Sequence, residues 1–158
     1  MTQDARFEDG GEVPLKLRAF DAEDLRVIST LAQDAVFPGS EMTWQPKARR
    51  FALLLNRFRW EDRPQAEARG RPVERVRSVL AVEDVQKVRS QGIARDGDTV
   101  YALLSADFQP GEDGTGTLVL TLAGDGVIAL EVETLEVTLT DVTRPYLARA
   151  GRAPSHPD

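Results

Sequence analysis

The stretch "TLVLTLAGDGVIALEVE", residues 117–133, decides the fold. On each side of Gly124-Asp125-Gly126, apolar residues fall at every second position, the period of a strand with one buried face. A three-residue loop at Gly124-Asp125-Gly126 would set Leu122 opposite Ile128, Leu120 opposite Leu130 and Leu118 opposite Val132. All six side chains then share one face, and a one-residue slip would expose the whole set. This hairpin therefore needs a core, and the neighbouring segments must supply it.

Working outward, "LEVTLTDV" places Leu135, Val137 and Leu139 in phase with each other but out of phase with Ile128-Leu130-Val132, so a bulge or tight bend is expected near Glu133-Thr134. Upstream, "VYALLSADF" reads as a strand and "QPGEDGTG" as its connection to the hairpin. "YALLSADF" at 101–108 echoes "FALLLNRF" at 51–58, with Ala, Leu, Leu and Phe at matching positions. Each is followed by a polar stretch and two further strand patterns, "RVRSVLAV" and "VQKVRSQGI" in the earlier case, where a loop at Glu83-Asp84-Val85 would set Leu80 against Val88. Residues 49–90 and 99–133 could thus be two copies of a three-stranded meander, or the echo could be chance among apolar strands. "MTWQP" and "RRFALLLNRFRW", flanking Lys47-Ala48, read as a further hairpin.

One segment has the period of a helix. In "DAEDLRVISTLAQDAVF", Asp21 can cap the N-terminus, Glu23 and Asp24 suit its dipole, and Leu25, Ile28, Leu31, Ala32, Ala35 and Val36 recur at spacings of three and four, up to Pro38-Gly39. Before it, "VPLKLRAF" alternates as a half-buried strand. The expected fold class is α+β: mostly antiparallel β, as a bent sheet or a small barrel or sandwich of seven to nine strands, with the 21–36 helix packed on it. The expected organisation is an N-terminal tail over 1–12, a single domain over 13–147 with an exposed linker at 61–73, and a C-terminal tail over 148–158.

The chain of 158 residues is long enough for one core without cross-links. It has no cysteine, which removes disulfides, thiolate metal sites and cysteine nucleophiles and fits a reducing cytoplasm. The polar, acidic N-terminus has no secretory character, and no apolar run approaches bilayer length, so a cytoplasmic location and no membrane partner are expected. His156, the single histidine, sits in a Pro-flanked tail unsuited to acid–base work or ligation. No hydrolase elbow, P-loop or dinucleotide fingerprint occurs. "DGD" at 96–98 and "GDG" at 124–126 read as turns, since neither continues into a calcium loop. Asp107 is one candidate acid, but no pair of carboxylates is singled out. We therefore assign no catalytic residue, metal ligand or cofactor.

"LKLRAFDAEDLRVISTLAQDAVF", "RRFALLLNRFRWE", "VEDVQKVRSQGI" and "LEVTLTDVTRPYLA" together resemble an uncharacterised proteobacterial family, domain of unknown function 2948, over roughly residues 14–147. The resemblance implies a small cytoplasmic protein and carries no catalytic motif.

Charge is the most informative functional feature. Residues 47–77 hold ten Lys/Arg against four acids, a local charge of +6 in a chain of net −6. Nine of the ten are arginine, suited to bidentate contact with carboxylate or phosphate. Spacing of two puts Arg57 with Arg59 and Arg75 with Arg77, and pairing of the two strands could bring all four to one face. The candidate binding residues are Arg49, Arg50, Arg57, Arg59, Trp60, Arg75 and Arg77, for an anionic small molecule or an acidic protein surface. The acidic remainder and only ten aromatics disfavour nucleic acid. The preferred reading is a non-enzymatic binding or interaction module, with a homodimer allowed. The alternative is an enzyme acting on a phosphorylated small molecule through arginine clamps and carboxylates.

Overall fold

The computed structural model describes residues 14–147. Ten strands and two helices run in the order β1 (Lys16–Ala19), α1 (Ala22–Leu31), β2 (Val36–Pro38), β3 (Met42–Gln45), β4 (Arg50–Phe58), α2 (Arg63–Ala68), β5 (Arg75–Val82), β6 (Val85–Gln91), β7 (Val100–Pro110), β8 (Gly116–Leu122), β9 (Val127–Val132) and β10 (Val137–Asp141). Every strand pairing is antiparallel, so the expected mostly antiparallel α+β class is the observed one. The strands follow the order β1-β10-β5-β4-β2-β7-β8-β9-β6, with β3 on β4, and the sheet does not close into a barrel. Strand β2 joins its two halves, pairing with β4 on one side and β7 on the other.

The two halves of the bent sheet wrap one core. Phe51, Leu53, Leu55, Leu80 and Val82 come from one half, and Leu118, Leu120, Leu122, Ile128, Leu130 and Val132 from the other. Helix α1 spans from β1 to β7 and adds Leu25 and Ile28. As expected, the Asp21 carboxylate caps it, accepting from the Asp24 N–H at 2.8 Å. The helix ends at Leu31, earlier than its apolar period indicated: Ala35 and Val36 are needed by β2, whose ladder to β7 starts at Val36↔Ala102.

The hairpin that decides the fold has the expected buried face but a different register. Leu120 faces Ile128 and Leu118 faces Leu130, while Thr121 pairs with Val127, so the turn takes five residues, Leu122 to Gly126. Gly124 supplies the left-handed conformation this turn requires, at φ 84°. A slip of two leaves every side chain on its original face. The expected bend at Glu133-Thr134 is present, and there the chain passes from one half of the sheet to the other.

The Leu80–Val88 hairpin is not formed. At Glu83-Asp84 the chain crosses between the two halves: Asp84 is left-handed at φ 56°, the Val85 N–H donates to Arg49 C=O, and β6 pairs with β9 instead of β5. Leu80 meets Leu53 and Leu139. Only 99–133 is therefore a three-stranded meander, and the "ALL" echo marks two equivalent strands, not two copies of a unit. Residues 61–73 are not a plain exposed linker. A 3-10 turn (Trp60–Asp62) leads into α2, whose Ala66 packs with Phe58, Trp60 and Val73 in a small second core. Pro64 lies in the first turn of α2, where a missing N–H costs nothing. "DGD" is a turn in which Asp96 Oδ1 accepts from the Asp98 and Thr99 N–H groups. The two tails and His156 lie outside the described residues.

Candidate functional site

Strands β4 and β5 carry most of the arginines singled out by the sequence, and their register decides where each one points. Phe58 pairs with Arg75, Arg57 with Val76, and Asn56 with Arg77. Residues directly opposite share a face, so Arg75 and Arg77 lie on the side of Asn56 and Phe58, and Arg57 lies on the other side, with Val76. The expected convergence of Arg57, Arg59, Arg75 and Arg77 on one face does not occur.

Arg57 points into the core and is fully buried. Its five N–H donors are all used. Nε donates to Ser78 Oγ at 3.0 Å and to Asp141 Oδ1 at 3.2 Å. Nη1 donates to Phe58 C=O and Glu61 Oε1, and Nη2 to Glu61 Oε2 and Asp141. Asp141 also accepts from Ser78 Oγ at 2.6 Å and from the Leu15 N–H at 2.8 Å. A buried guanidinium is tolerable only when paired and fully hydrogen-bonded, and this one is. Burial pulls the Arg57 pKa down, but Glu61 and Asp141 outweigh it and hold the guanidinium above its ordinary value. Burial pushes the Glu61 carboxyl up, and the hydrogen bonds and charge of Arg57, helped by Arg59, outweigh that and leave it below its ordinary value.

Arg59 is likewise buried, 2.6 Å from Glu74 Oε1 and 3.5 Å from Asp62, which also holds Arg71 at 2.8 Å. Arg49 pairs with Glu133 and Arg50 with Glu83, both at the turn between β3 and β4. Trp60 donates its indole N–H to Gln33 C=O, packs on Phe58 with ring centres 5.3 Å apart, and carries Arg63 over its face at 5.5 Å. Arg57, Arg59 and Trp60 hold elements together, whereas Arg49 and Arg50 each give one N–H to an exposed ion pair. Arg75 lies over the Phe58 ring at 4.3 Å. Arg77 is exposed and makes no ion pair among the described residues.

Arg77 opens onto a small notch. On the edge of β4 away from β5, β3 pairs as far as Leu53 and β2 pairs only at Asn56, so Leu54 and Leu55 have no strand neighbour there. Val36, Pro38 and Leu54 wall the gap, which encloses about 60 Å³, and Glu41, Asn56 and Arg77 supply its polar groups. Asn56 Oδ1 is buried without a hydrogen-bond partner. Sequence reasoning missed Glu41 and Asn56, because what joins them to Arg77 is a break in strand pairing and no local pattern marks it. A second groove, about 150 Å³, lies between α1 and β7, where Arg26, Ser29 and Asp107 meet. Among the described residues no three His, Cys, Asp or Glu side chains gather as a metal site.

The family model described as a protein of unknown function (DUF2948) matches residues 15–156. The chain belongs to this family. The match spans every strand and helix, so the bent sheet, the Arg57 cluster and the notch all lie within the part that defines DUF2948 membership. No curated protein and no solved structure matches the chain. Among the described residues no helix is long and apolar enough to cross a membrane.

Proposed function

We propose that this chain is a non-enzymatic binding module for an anionic small molecule, working in the cytoplasm, and that the anion is taken by Arg77 on the outer face of the β4–β5 pair. The reading rests on one contrast. Arg49, Arg50, Arg57 and Arg59 are each committed to a carboxylate of the chain itself, whereas Arg77 is exposed and unpaired beside a concave surface. An exposed guanidinium offers a bidentate contact to a carboxylate or phosphate at low desolvation cost. Of the six candidate arginines, Arg77 is the one this reading uses, with Arg75 as its neighbour two positions away.

The test follows the backbone amides of the full chain by NMR while acetate or inorganic phosphate is added at about 10 mM and about 150 mM ionic strength. Amides around Asn56 and Arg77 should respond, less so at the higher salt, where the screening length falls to about 8 Å. Arg77→Ala should abolish the response without moving the thermal midpoint. An unchanged response in Arg77→Ala would overturn the assignment.

A second reading, an enzyme acting on a phosphorylated small molecule, is favoured by the groove that brings Arg26 and Asp107 together. It predicts turnover of a phosphate monoester such as p-nitrophenyl phosphate that Asp107→Asn removes, and it fails if no turnover is seen.

A further inference from the structure

Arg77 is not the only charged group of the notch. Glu41 stands in its wall together with Arg77, and a bare carboxylate or phosphate on Arg77 would be repelled by it. Glu41 and Arg77 line the same small cavity, yet neither forms an ion pair among the described residues, with each other or with a third group. Most other arginines of the β4–β5 region have found a carboxylate. The notch therefore presents a cation and an anion that are not paired with each other.

We propose that the notch binds the head group of a free α-amino acid, its carboxylate on Arg77 and its ammonium on Glu41. A ligand carrying both charges can engage both groups, which a simple anion cannot. Val36, Pro38 and Leu54 offer an apolar wall to the α-carbon. The enclosed volume of about 60 Å³ equals about two waters, room for a head group but not for a large side chain. The amino-acid side chain would then project into solvent, so discrimination would rest on the zwitterion. A peptide separates its two termini and lacks this pairing.

This inference rests on the anion reading above, and the experiment separates the two. The amides of Val36, Glu41, Leu54, Leu55, Asn56 and Arg77 are followed in the full chain while glycine, acetate and methylammonium are added in turn. Glycine should saturate the response at a concentration at least about tenfold below either single-charge probe, since each half then adds to the other. Glu41→Gln should bring glycine back to the level of acetate and leave acetate binding no weaker, and Arg77→Ala should remove both. Thermal midpoints of the two variants confirm that they are folded. If acetate binds as tightly as glycine, the amino-acid assignment falls and the anion site stands. If no probe moves these amides, both readings are overturned; if acetate moves them and glycine moves only others, the amino-acid assignment alone falls.

Discussion

Replacing Arg57 with methionine isolates the role of the buried cluster. Methionine fills much of the same volume, so the principal loss is charge and hydrogen bonding. It leaves the Asp141 carboxylate, only 4% exposed, with Ser78 and the Leu15 N–H as its remaining donors. Removing one partner of a buried ion pair typically costs about 3–5 kcal/mol. Glu61 adds little to that, because at 29% exposure it can turn to water. With a urea slope of about 2 kcal/mol per M, the unfolding midpoint should fall by roughly 1.5–2.5 M. The decisive comparison is the double variant Arg57→Met with Asp141→Leu. Once both charges are gone no uncompensated ion is left, so its loss should be smaller than the sum of the two single losses by about 1–3 kcal/mol. If Arg57→Met does not fold, Ser78→Ala removes two hydrogen bonds of the same cluster, Arg57 Nε to Ser78 Oγ and Ser78 Oγ to Asp141, and should cost about 1–3 kcal/mol, which keeps the measurement within reach. A shift below about 0.3 M for Arg57→Met, or a double variant showing the full sum, would refute the claim that the cluster acts as one paired unit.

Leu120→Ala should cost about 2–5 kcal/mol in urea unfolding, since Leu120 is fully buried between the two halves of the sheet. The Glu61 carboxyl titrates below its unfolded value, near 4.3, so the stability it lends is complete above that pH and is lost as pH falls through the lower folded value. Glu61→Gln should therefore lose less stability than the parent between pH 7 and pH 3, seen as a smaller drop in midpoint. Gly39→Ala should destabilise the fold by about 2 kcal/mol or more, because its Cβ would collide with the Ala94 backbone carbonyl. It should also move the turn that carries Glu41, detectable as altered amide shifts at Glu41 and Asn56.

How much of this was legible depends on whether a feature is local. Alternation within 117–133 identified six core residues correctly even though the turn length was misjudged, because a slip of two preserves facing. The partner of β6 was not legible: Val85–Gln91 lies next to β5 in sequence, but its partner, β9, comes after two further strands. The burial of Arg57 did leave a signal. In "FALLLNRF" it continues the phase of Phe51, Leu53 and Leu55; Ser78 continues that of Val76 and Leu80, and Asp141 that of Leu139. Each is a polar residue at an apolar position, and together they mark a polar layer inside the sheet. Reading Arg57 by its charge instead of its phase put it on the wrong face. The notch left no such mark, since it exists only where β2 and β3 fail to meet along β4.

Strand β10 lies between β1 and β5, so a strand synthesised after all the other described ones occupies an interior place in the sheet. A ribosome that has reached residue 130 has produced the first strand, both helices and the whole of β4 and β5, yet β1 has no neighbour to pair with and Arg57 lacks Asp141. Nascent chains short of residue 141 would therefore carry an open sheet edge and an inward cation with only Glu61 of its two carboxylate partners. Such intermediates are the ones holding chaperones retain. Completion waits on a contact spanning 126 residues, from the Asp141 carboxylate to the Leu15 N–H, and long-range closures of this kind make folding slow.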